Sequence, residues 1–112
     1  MAQSLKDKLY LSGMDGRAAA LARQWRVGYE ITAFSYAPML DAPETAERVR
    51  RDMAGVTRFW LHAPFAELSP CAIDPLVRQV AEKRFLQAAE TASSLGVMRM
   101  VCHGGFLPHG YF

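Results

Sequence analysis

Residues 57–103, TRFWLHAPFAELSPCAIDPLVRQVAEKRFLQAAETASSLGVMRMVCH, decide the fold. The stretch opens with an apolar and aromatic run over residues 57–62, which predicts a strand closed off by Pro64. Asp74 and Pro75 are a helix start signal, and Gly96 ends the helix. Residues 97–103 predict the next strand. The apolar face of the helix consists of Leu76, Val77, Val80, Ala81, Ala88, Ala92 and Leu95.

The sequence upstream repeats this order of elements. Residues 8–14 and 27–34 predict two earlier strands. Asp15 and Asp41 are candidate caps for the helices that follow them, the second with Pro43 in its first turn and Gly55 at its end. The predicted buried positions are Ala18, Leu21, Ala22 and Trp25 in the first helix and Ala46, Val49 and Met53 in the second.

Four strands alternating with three helices predict an α/β fold with a parallel sheet. The junction after the first strand, SGMDG, lacks a glycine-rich phosphate motif, so nothing favours a nucleotide-binding, doubly wound sheet. The pattern fits the first four strands of a (β/α)8 TIM-barrel-type fold, with residues 1–112 as its N-terminal half. No helix follows the fourth strand, which predicts a fragment, or a half-barrel that self-associates through the uncovered sheet edge.

Composition and charge exclude some classes of function. The chain has 13 Lys and Arg against 11 Asp and Glu, a net charge of +2, which gives no footprint for nucleic acid. No apolar run approaches the ~20 residues of a membrane helix, and the N-terminus does not resemble a signal peptide. The two cysteines match no zinc-ligand spacing. A cytoplasmic protein is therefore expected.

Two histidines carry the clearest chemical signal. His62 ends the third predicted strand and His103 ends the fourth. Neighbouring parallel strands lie about 4.8 Å apart, so both imidazoles are expected at the same sheet edge, close enough to share one metal ion or to bind two nearby ions. The alternative is that each histidine only terminates a strand and bonds to a loop.

Four further residues are candidates for substrate binding. Glu30 lies inside the second strand and either faces a pocket or pairs with a basic residue. Gly104 and Gly105 leave backbone N–H groups open to a ligand, or form a plain turn. His109 either folds back over the site or has no role. Weaker candidates are Trp60, Phe65 and Phe106 as pocket walls, for which packing is the alternative; Cys102 is expected to be a small apolar filler and Glu67 to be solvated.

The stretches 59–97 and 98–112, with HAPF and HGGF after their strands, resemble the third and fourth units of xylose-isomerase-like barrel proteins. This group contains sugar phosphate isomerases and epimerases and the family 2 AP endonucleases. The resemblance covers the whole chain but only about half of a family barrel. In the endonuclease branch it implies that His62 and His103 are metal ligands. In the isomerase branch it implies that first-half residues shape the substrate pocket.

The resemblance implies a metal-dependent isomerase or epimerase of a sugar or sugar phosphate, with Mn²⁺, Mg²⁺ or Zn²⁺ as cofactor. The later ligands of the family are absent from the sequence, so an incomplete metal site and an inactive isolated chain are expected. The alternatives are a metal-dependent AP endonuclease-like phosphodiesterase and a non-catalytic half-barrel. HAPFAELSP and HGGFLPHGYF contain no Lys or Arg to meet phosphates, which argues against DNA as substrate.

Overall fold

The computed structural model of the chain describes residues 4–13 and 15–105. Within these residues strands and helices alternate along the chain. The strands are β1 (Tyr10–Ser12), β2 (Gly28–Ile31), β3 (Phe59–His62) and β4 (Met100–Val101). The α-helices are α1 (Arg17–Trp25), α2 (Pro43–Met53) and α3 (Pro75–Ser94). Two short 3₁₀ helices, Leu5–Lys8 and Ala37–Asp41, precede β1 and α2.

The four strands form one parallel sheet in the order β1-β2-β3-β4. Glu30 of β2 lies opposite Ser12 of β1 and Trp60 of β3, and His62 lies opposite Val101 of β4. Each strand is joined to the next through a helix, as parallel pairing requires. The expectation of an α/β fold with four parallel strands and three helices is thus confirmed.

All three helices contribute to a single core on one face of the sheet. Leu11, Tyr29, Ile31, Leu61 and Met100 supply the sheet side of this core. The helices supply Ala18, Ala19, Ala22, Val49, Ala88 and Ala92. Burial raises the pKa of the Tyr29 hydroxyl, and the Asp52 carboxylate adds to the rise.

Strand alternation places the neighbouring residues on the opposite face, which we call the open face. It carries Tyr10, Glu30, Trp60 and His62. Tyr10 crosses over Gly28 so closely that a Cβ there would lie 2.3 Å from its ring. Its ring meets that of Trp60 edge-on at 5.7 Å. The open face is therefore lined by aromatic and ionisable side chains.

Every strand is shorter than the sequence predicts. The predicted first strand, residues 8–14, begins two residues late because Lys8 still belongs to the 3₁₀ helix, and Met14 lies outside the described residues. The second ends at Ile31, where the Ser35 N–H donates to the Thr32 carbonyl in a turn. The fourth spans only Met100–Val101, so the prediction that His103 ends a strand is wrong.

The predicted helix faces are half right. In α1 the alanines are buried, but Leu21 and Trp25 are 44% and 55% exposed. In α3 the later alanines are buried, whereas Leu76 and Val80 are exposed. Small side chains let the helices approach the sheet closely, and the larger apolar residues then lie on the outer flanks of the helices.

The helix ends test the cap predictions. Asp74 caps α3 by accepting from the Leu76 N–H at 2.9 Å, as predicted. Gly55 and Gly96 adopt positive φ after α2 and α3, also as predicted. The residue at the N-cap of α1 is Gly16 rather than Asp15, although the Asp15 carboxylate accepts from the Arg17 N–H at 3.0 Å.

Asp41 is not a helix cap. It ends the 3₁₀ helix, and α2 begins after Ala42 without a side-chain cap. Its carboxylate accepts from Arg84 at 2.8 Å and from Gln87 at 2.6 Å, both on α3. These two bonds, that from Arg84 first, hold the pKa of Asp41 below its usual value. Asp41 thus links the segment before α2 to α3.

Within the described part of the chain, no helix combines the length and apolar character needed to cross a membrane.

Candidate functional site

His62 stands at the end of β3 with its ring held by the backbone. Its Nδ1 lies 2.7 Å from the carbonyl oxygen of Ala63. A carbonyl oxygen can only accept, so Nδ1 carries the proton and, in the neutral ring, Nε2 keeps its lone pair. A backbone or carboxylate acceptor on the far nitrogen is the arrangement that orients metal-ligating histidines. The half-buried side chain therefore presents the lone pair of Nε2 in a fixed direction, to a metal ion or to a hydrogen-bond donor.

His103 brings its own Nε2 to within 2.9 Å of Nε2 of His62. The ring centroids are 4.8 Å apart. The prediction that the two histidines meet at one edge of the sheet is confirmed. With Nε2 of neutral His62 as acceptor, the Nε2–H of His103 is the donor between the rings.

The predicted equivalence of the two positions is wrong, however. His62 is paired in register with Val101, and His103 lies two residues beyond it. The Ala63 N–H donates to the Val101 carbonyl at 2.9 Å, and residues 102–105 have no regular structure. Because β4 has already ended, the irregular segment after Val101, rather than strand register, carries the second imidazole to the first.

Phe65, in the loop after β3, packs against both imidazoles. Its ring lies 4.9 Å from that of His103 at an interplanar angle of 25°, and 5.2 Å from that of His62 at 73°. Tyr36, from the loop after β2, meets Phe65 at 6.5 Å. The sequence placed Phe65 among possible pocket walls but favoured simple packing for it, and Tyr36 was missed, since loop aromatics carry no periodic signal.

Glu30 lies on the open face, as does His62, but one strand away and opposite Trp60. It is half-buried, and no basic residue of the described segments forms an ion pair with it. The expected contact of Glu30 with a substrate stays a prediction. Beyond Ile31 the alternation of β2 ends, and Phe34 turns into the core.

The open face also contains an unpartnered donor. Among the described residues, Trp60 Nε1 is buried without a hydrogen-bond acceptor. The guanidinium of Arg99 lies 5.7 Å from the Trp60 ring, and that of Arg58 lies 5.2 Å from the Tyr10 ring. A buried N–H without a partner is unfavourable, so this position calls for an acceptor from elsewhere.

The two glycines after His103 behave differently. Gly105 has φ of 97°, and a Cβ there would lie 3.1 Å from Cys71 Sγ and from Pro70 Cδ. Close packing on the β3 loop accounts for this glycine. Gly104 has open space around it, which leaves its predicted ligand contact as a prediction.

Exposure decides two of the remaining candidates, and the other two lie outside the described residues. Cys102 is exposed, so its predicted role as an apolar filler is wrong. Glu67 is exposed, as predicted. His109 and Phe106 lie outside the described residues.

Two further observations bear on ligands. No group of three or more His, Cys, Asp or Glu in segments 4–13 and 15–105 is arranged to hold a metal ion. A surface cleft of about 800 Å³ is lined by Asp41, Arg84 and Gln87 on the outer side of α3, away from the histidines. That cleft contains the ion pair that ties α3 to the segment before α2.

Comparison with known proteins gives a structural likeness. Neither a known protein family nor a curated protein matches the sequence. A solved structure of the TTHB071 protein from Thermus thermophilus, soaked with ZnCl₂, superimposes with a TM-score of 0.70 and 26% sequence identity. The match covers 95% of this chain and 42% of that protein, so the chain spans less than half the length of its structural neighbour.

Proposed function

We propose that the chain is the N-terminal part of a metal-dependent xylose-isomerase-like barrel enzyme, with His62 and His103 as two ligands of a divalent ion. The observation that carries the proposal is the 2.9 Å approach of their Nε2 atoms. Two donors that share a zinc ion through bonds of about 2.1 Å must lie within about 4.2 Å of each other. The pair meets this condition, and both side chains are imidazoles, a ligand type that zinc accepts readily. To bind the ion, His103 would carry its ring proton on Nδ1 instead of Nε2.

The arrangement of the sheet supports the barrel. The strands follow one another in sequence order, and the three helices share one face. A doubly wound sheet reverses its strand order and places helices on both faces. A (β/α)8 barrel keeps sequence order and places its helices outside, with chemistry at the C-terminal ends of the strands. His62 and the segment carrying His103 lie at those ends.

The length of the structural neighbour supports an incomplete site. The neighbour is more than twice as long as the matched region, and two histidines are fewer ligands than a catalytic ion uses. Further ligands would therefore come from residues beyond those described. That the neighbour was soaked with ZnCl₂ makes zinc the first ion to test here.

For the reaction we favour isomerisation or epimerisation of a sugar or sugar phosphate, on the sequence resemblance. A divalent ion bound there would supply polarisation of the substrate oxygens next to the carbon that loses its proton. His62 and His103 would hold that ion, and Ala63 would orient the first ring through its carbonyl oxygen. Glu30 offers an acceptor on the open face for substrate hydroxyls.

The second candidate is hydrolysis of abasic DNA, since the resemblance makes both histidines direct ligands in the endonuclease branch. Residues 63–72 and 104–105, which surround the histidines, contain no Lys or Arg. A DNA enzyme neutralises phosphates with such residues. Because basic residues are absent from these segments, we rank the isomerase or epimerase above the endonuclease.

Metal titration tests the site. Calorimetry measures the binding of Zn²⁺ and Mn²⁺ to the 112-residue chain and to three variants, His62→Ala, His103→Ala and His109→Ala. All of these proteins also carry Cys71→Ser and Cys102→Ser, which remove the exposed thiols. We expect either substitution of the close pair to weaken Zn²⁺ binding by at least about tenfold. Unchanged affinity in both His62→Ala and His103→Ala would refute the shared site.

Activity is tested on the full-length protein of which the chain is proposed to be the N-terminal part. It is incubated with a panel of ketoses and ketose phosphates in the presence of Mn²⁺, Mg²⁺ or Zn²⁺, and separately with duplex DNA containing an abasic site. Formation of an epimerised sugar by the full-length protein, together with its loss in the His62→Ala variant of that protein, supports the proposal. Strand cleavage without any sugar product would move the assignment to the endonuclease.

A further inference from the structure

The position of Phe65 bears on both histidines at once. The residue is 40% exposed, and its ring lies face to face with that of His103 and edge-on to that of His62. Phe65 is the third residue after His62, and buried Pro64 precedes it. One aromatic side chain thus contacts both imidazoles, the one at the end of β3 and the one in the segment after β4.

The backbone around Phe65 is fixed on both sides. Its N–H donates to the Ser35 carbonyl at 3.1 Å, which ties it to the loop after β2, and Ser35 is itself buried. Its carbonyl accepts from the Leu68 N–H at 3.2 Å within the same loop. The backbone from which the Phe65 ring extends toward the imidazoles is therefore held in place.

His103 depends on the Phe65 ring. It is exposed, lies in a segment without regular structure, and its one hydrogen bond in the described chain is to His62. A single hydrogen bond leaves rotation about the side-chain torsions, whereas a ring stacked at 25° restricts the plane of the imidazole. His62 is already oriented by Ala63, so Phe65 matters most for the second ring.

We propose that Phe65 is a positioning residue that holds the imidazole of His103 in the plane that directs Nε2 at Nε2 of His62. The inference rests on the proposed metal site for its purpose, but the positioning itself is a property of the chain without metal. Phe65 contributes no donor atom and acts only through the two histidines.

The test uses variants that separate the ring from its bulk. Phe65→Leu keeps apolar volume and removes the stacking face, while Phe65→Tyr keeps the face. Tyr36→Leu is the matched control, because it removes a loop aromatic that contacts Phe65 but neither imidazole. Phe59→Leu controls for loss of an aromatic that packs against the core on the other face of the sheet.

The first readout is the proton NMR spectrum of the histidine rings in the metal-free chain. A stacked phenyl ring shifts the His103 ring protons upfield. We expect Phe65→Leu to move them toward free-imidazole positions, Phe65→Tyr to retain the upfield shift, and both control variants to leave it in place. Unchanged His103 shifts in Phe65→Leu would overturn the inference.

The second readout is Zn²⁺ affinity in the same variants. We expect about a two- to tenfold loss in Phe65→Leu, restored in Phe65→Tyr. The two proposals fail separately. If His62→Ala and His103→Ala do not alter zinc binding, the metal site is wrong, and the metal-free spectra still decide the positioning. If those two variants lose zinc but Phe65→Leu binds it like the parent chain, the positioning role is wrong and the metal site stands.

Discussion

Gly28→Ala tests the assignment of the open face, on which the site depends. A Cβ at position 28 would lie 2.3, 2.5 and 2.9 Å from Tyr10 Cδ1, Cε1 and Cγ. Carbon atoms in contact are about 3.5–4.0 Å apart, so the Tyr10 ring would have to move by at least about 1 Å. That movement disturbs the edge contact of Tyr10 with Trp60 and the cation–π contact with Arg58.

The magnitude follows from these contacts. Overpacking costs about 1–3 kcal/mol, and the weakened aromatic contact adds up to about 1 kcal/mol. Replacing glycine in a strand returns about 0.5–1 kcal/mol of backbone entropy. We therefore expect Gly28→Ala to lower the free energy of unfolding by about 2 kcal/mol.

Tyr10→Ala removes the ring that the new methyl group meets. In that background Gly28→Ala should be neutral or slightly stabilising, which makes the coupling between the two positions about 2 kcal/mol. The four variants of the cycle are measured by urea unfolding, followed by tryptophan fluorescence and by circular dichroism. Additivity within about 0.5 kcal/mol would show that Tyr10 does not cross Gly28, and the assignment of Tyr10, Trp60 and His62 to one face would lose its support.

Two further predictions concern the core and the ion pair that ties α3 to the rest of the chain. Leu61→Ala removes a fully buried side chain and should lower the free energy of unfolding by about 2–5 kcal/mol. The control Leu86→Ala, at a position 67% exposed, should change it by less than about 0.5 kcal/mol. Equal effects of the two substitutions in urea unfolding would contradict the assignment of Leu61 to the core. The bond from Arg84 lowers the pKa of Asp41, so its contribution is present above the unfolded-state pKa and is lost as the pH falls through the folded-state pKa. Asp41→Asn should therefore lose less stability than the unsubstituted chain between about pH 6 and pH 3. The exposed control Glu47→Gln should follow the unsubstituted chain. Parallel curves of unfolding free energy against pH for Asp41→Asn and the unsubstituted chain would rule out a contribution from the pair.

The order of elements could be predicted because it rests on local signals. Asp74 and Pro75 begin α3, and Gly96 ends it, as the cap chemistry predicts. The cap at Asp41 failed because its carboxylate has a competing partner, Arg84, which is 43 residues away in sequence. A cap motif does not show such a distant partner.

Burial was harder to predict than helix position. The pattern grouped Leu21 and Trp25 with Ala18 and Ala22, since all four fall on one side of a helix. The structure buries the alanines and leaves the two large residues on the flank, where Lys6 lies 5.8 Å from the Trp25 ring. The helical period shows which side of a helix is buried but not how wide the buried side is. In α1 the alanines let the helix approach the sheet closely, so the buried side is narrow.

The site shows the same division between what is local and what is not. That His62 ends a strand follows from the apolar run before it and from Pro64 after it. The approach of His103 was predicted on the assumption that β3 and β4 each end at a histidine. β4 instead stops at Val101, whose carbonyl accepts a hydrogen bond from the Ala63 N–H. The proximity holds because parallel strands deliver both chain segments to one edge, even though the register argument fails by two residues.

The two faces of the sheet also explain where chemistry can occur. The helix-covered face is closed by alanines and branched apolar residues, which leave little polar capacity for a substrate. The open face carries Glu30, His62 and the buried Trp60 N–H, which has no acceptor within segments 4–13 and 15–105. An unsatisfied buried donor costs about 1–3 kcal/mol, a cost that an acceptor on this face would relieve. The same face therefore carries the His62 imidazole, the Glu30 carboxylate and a polar group without a partner among the described residues.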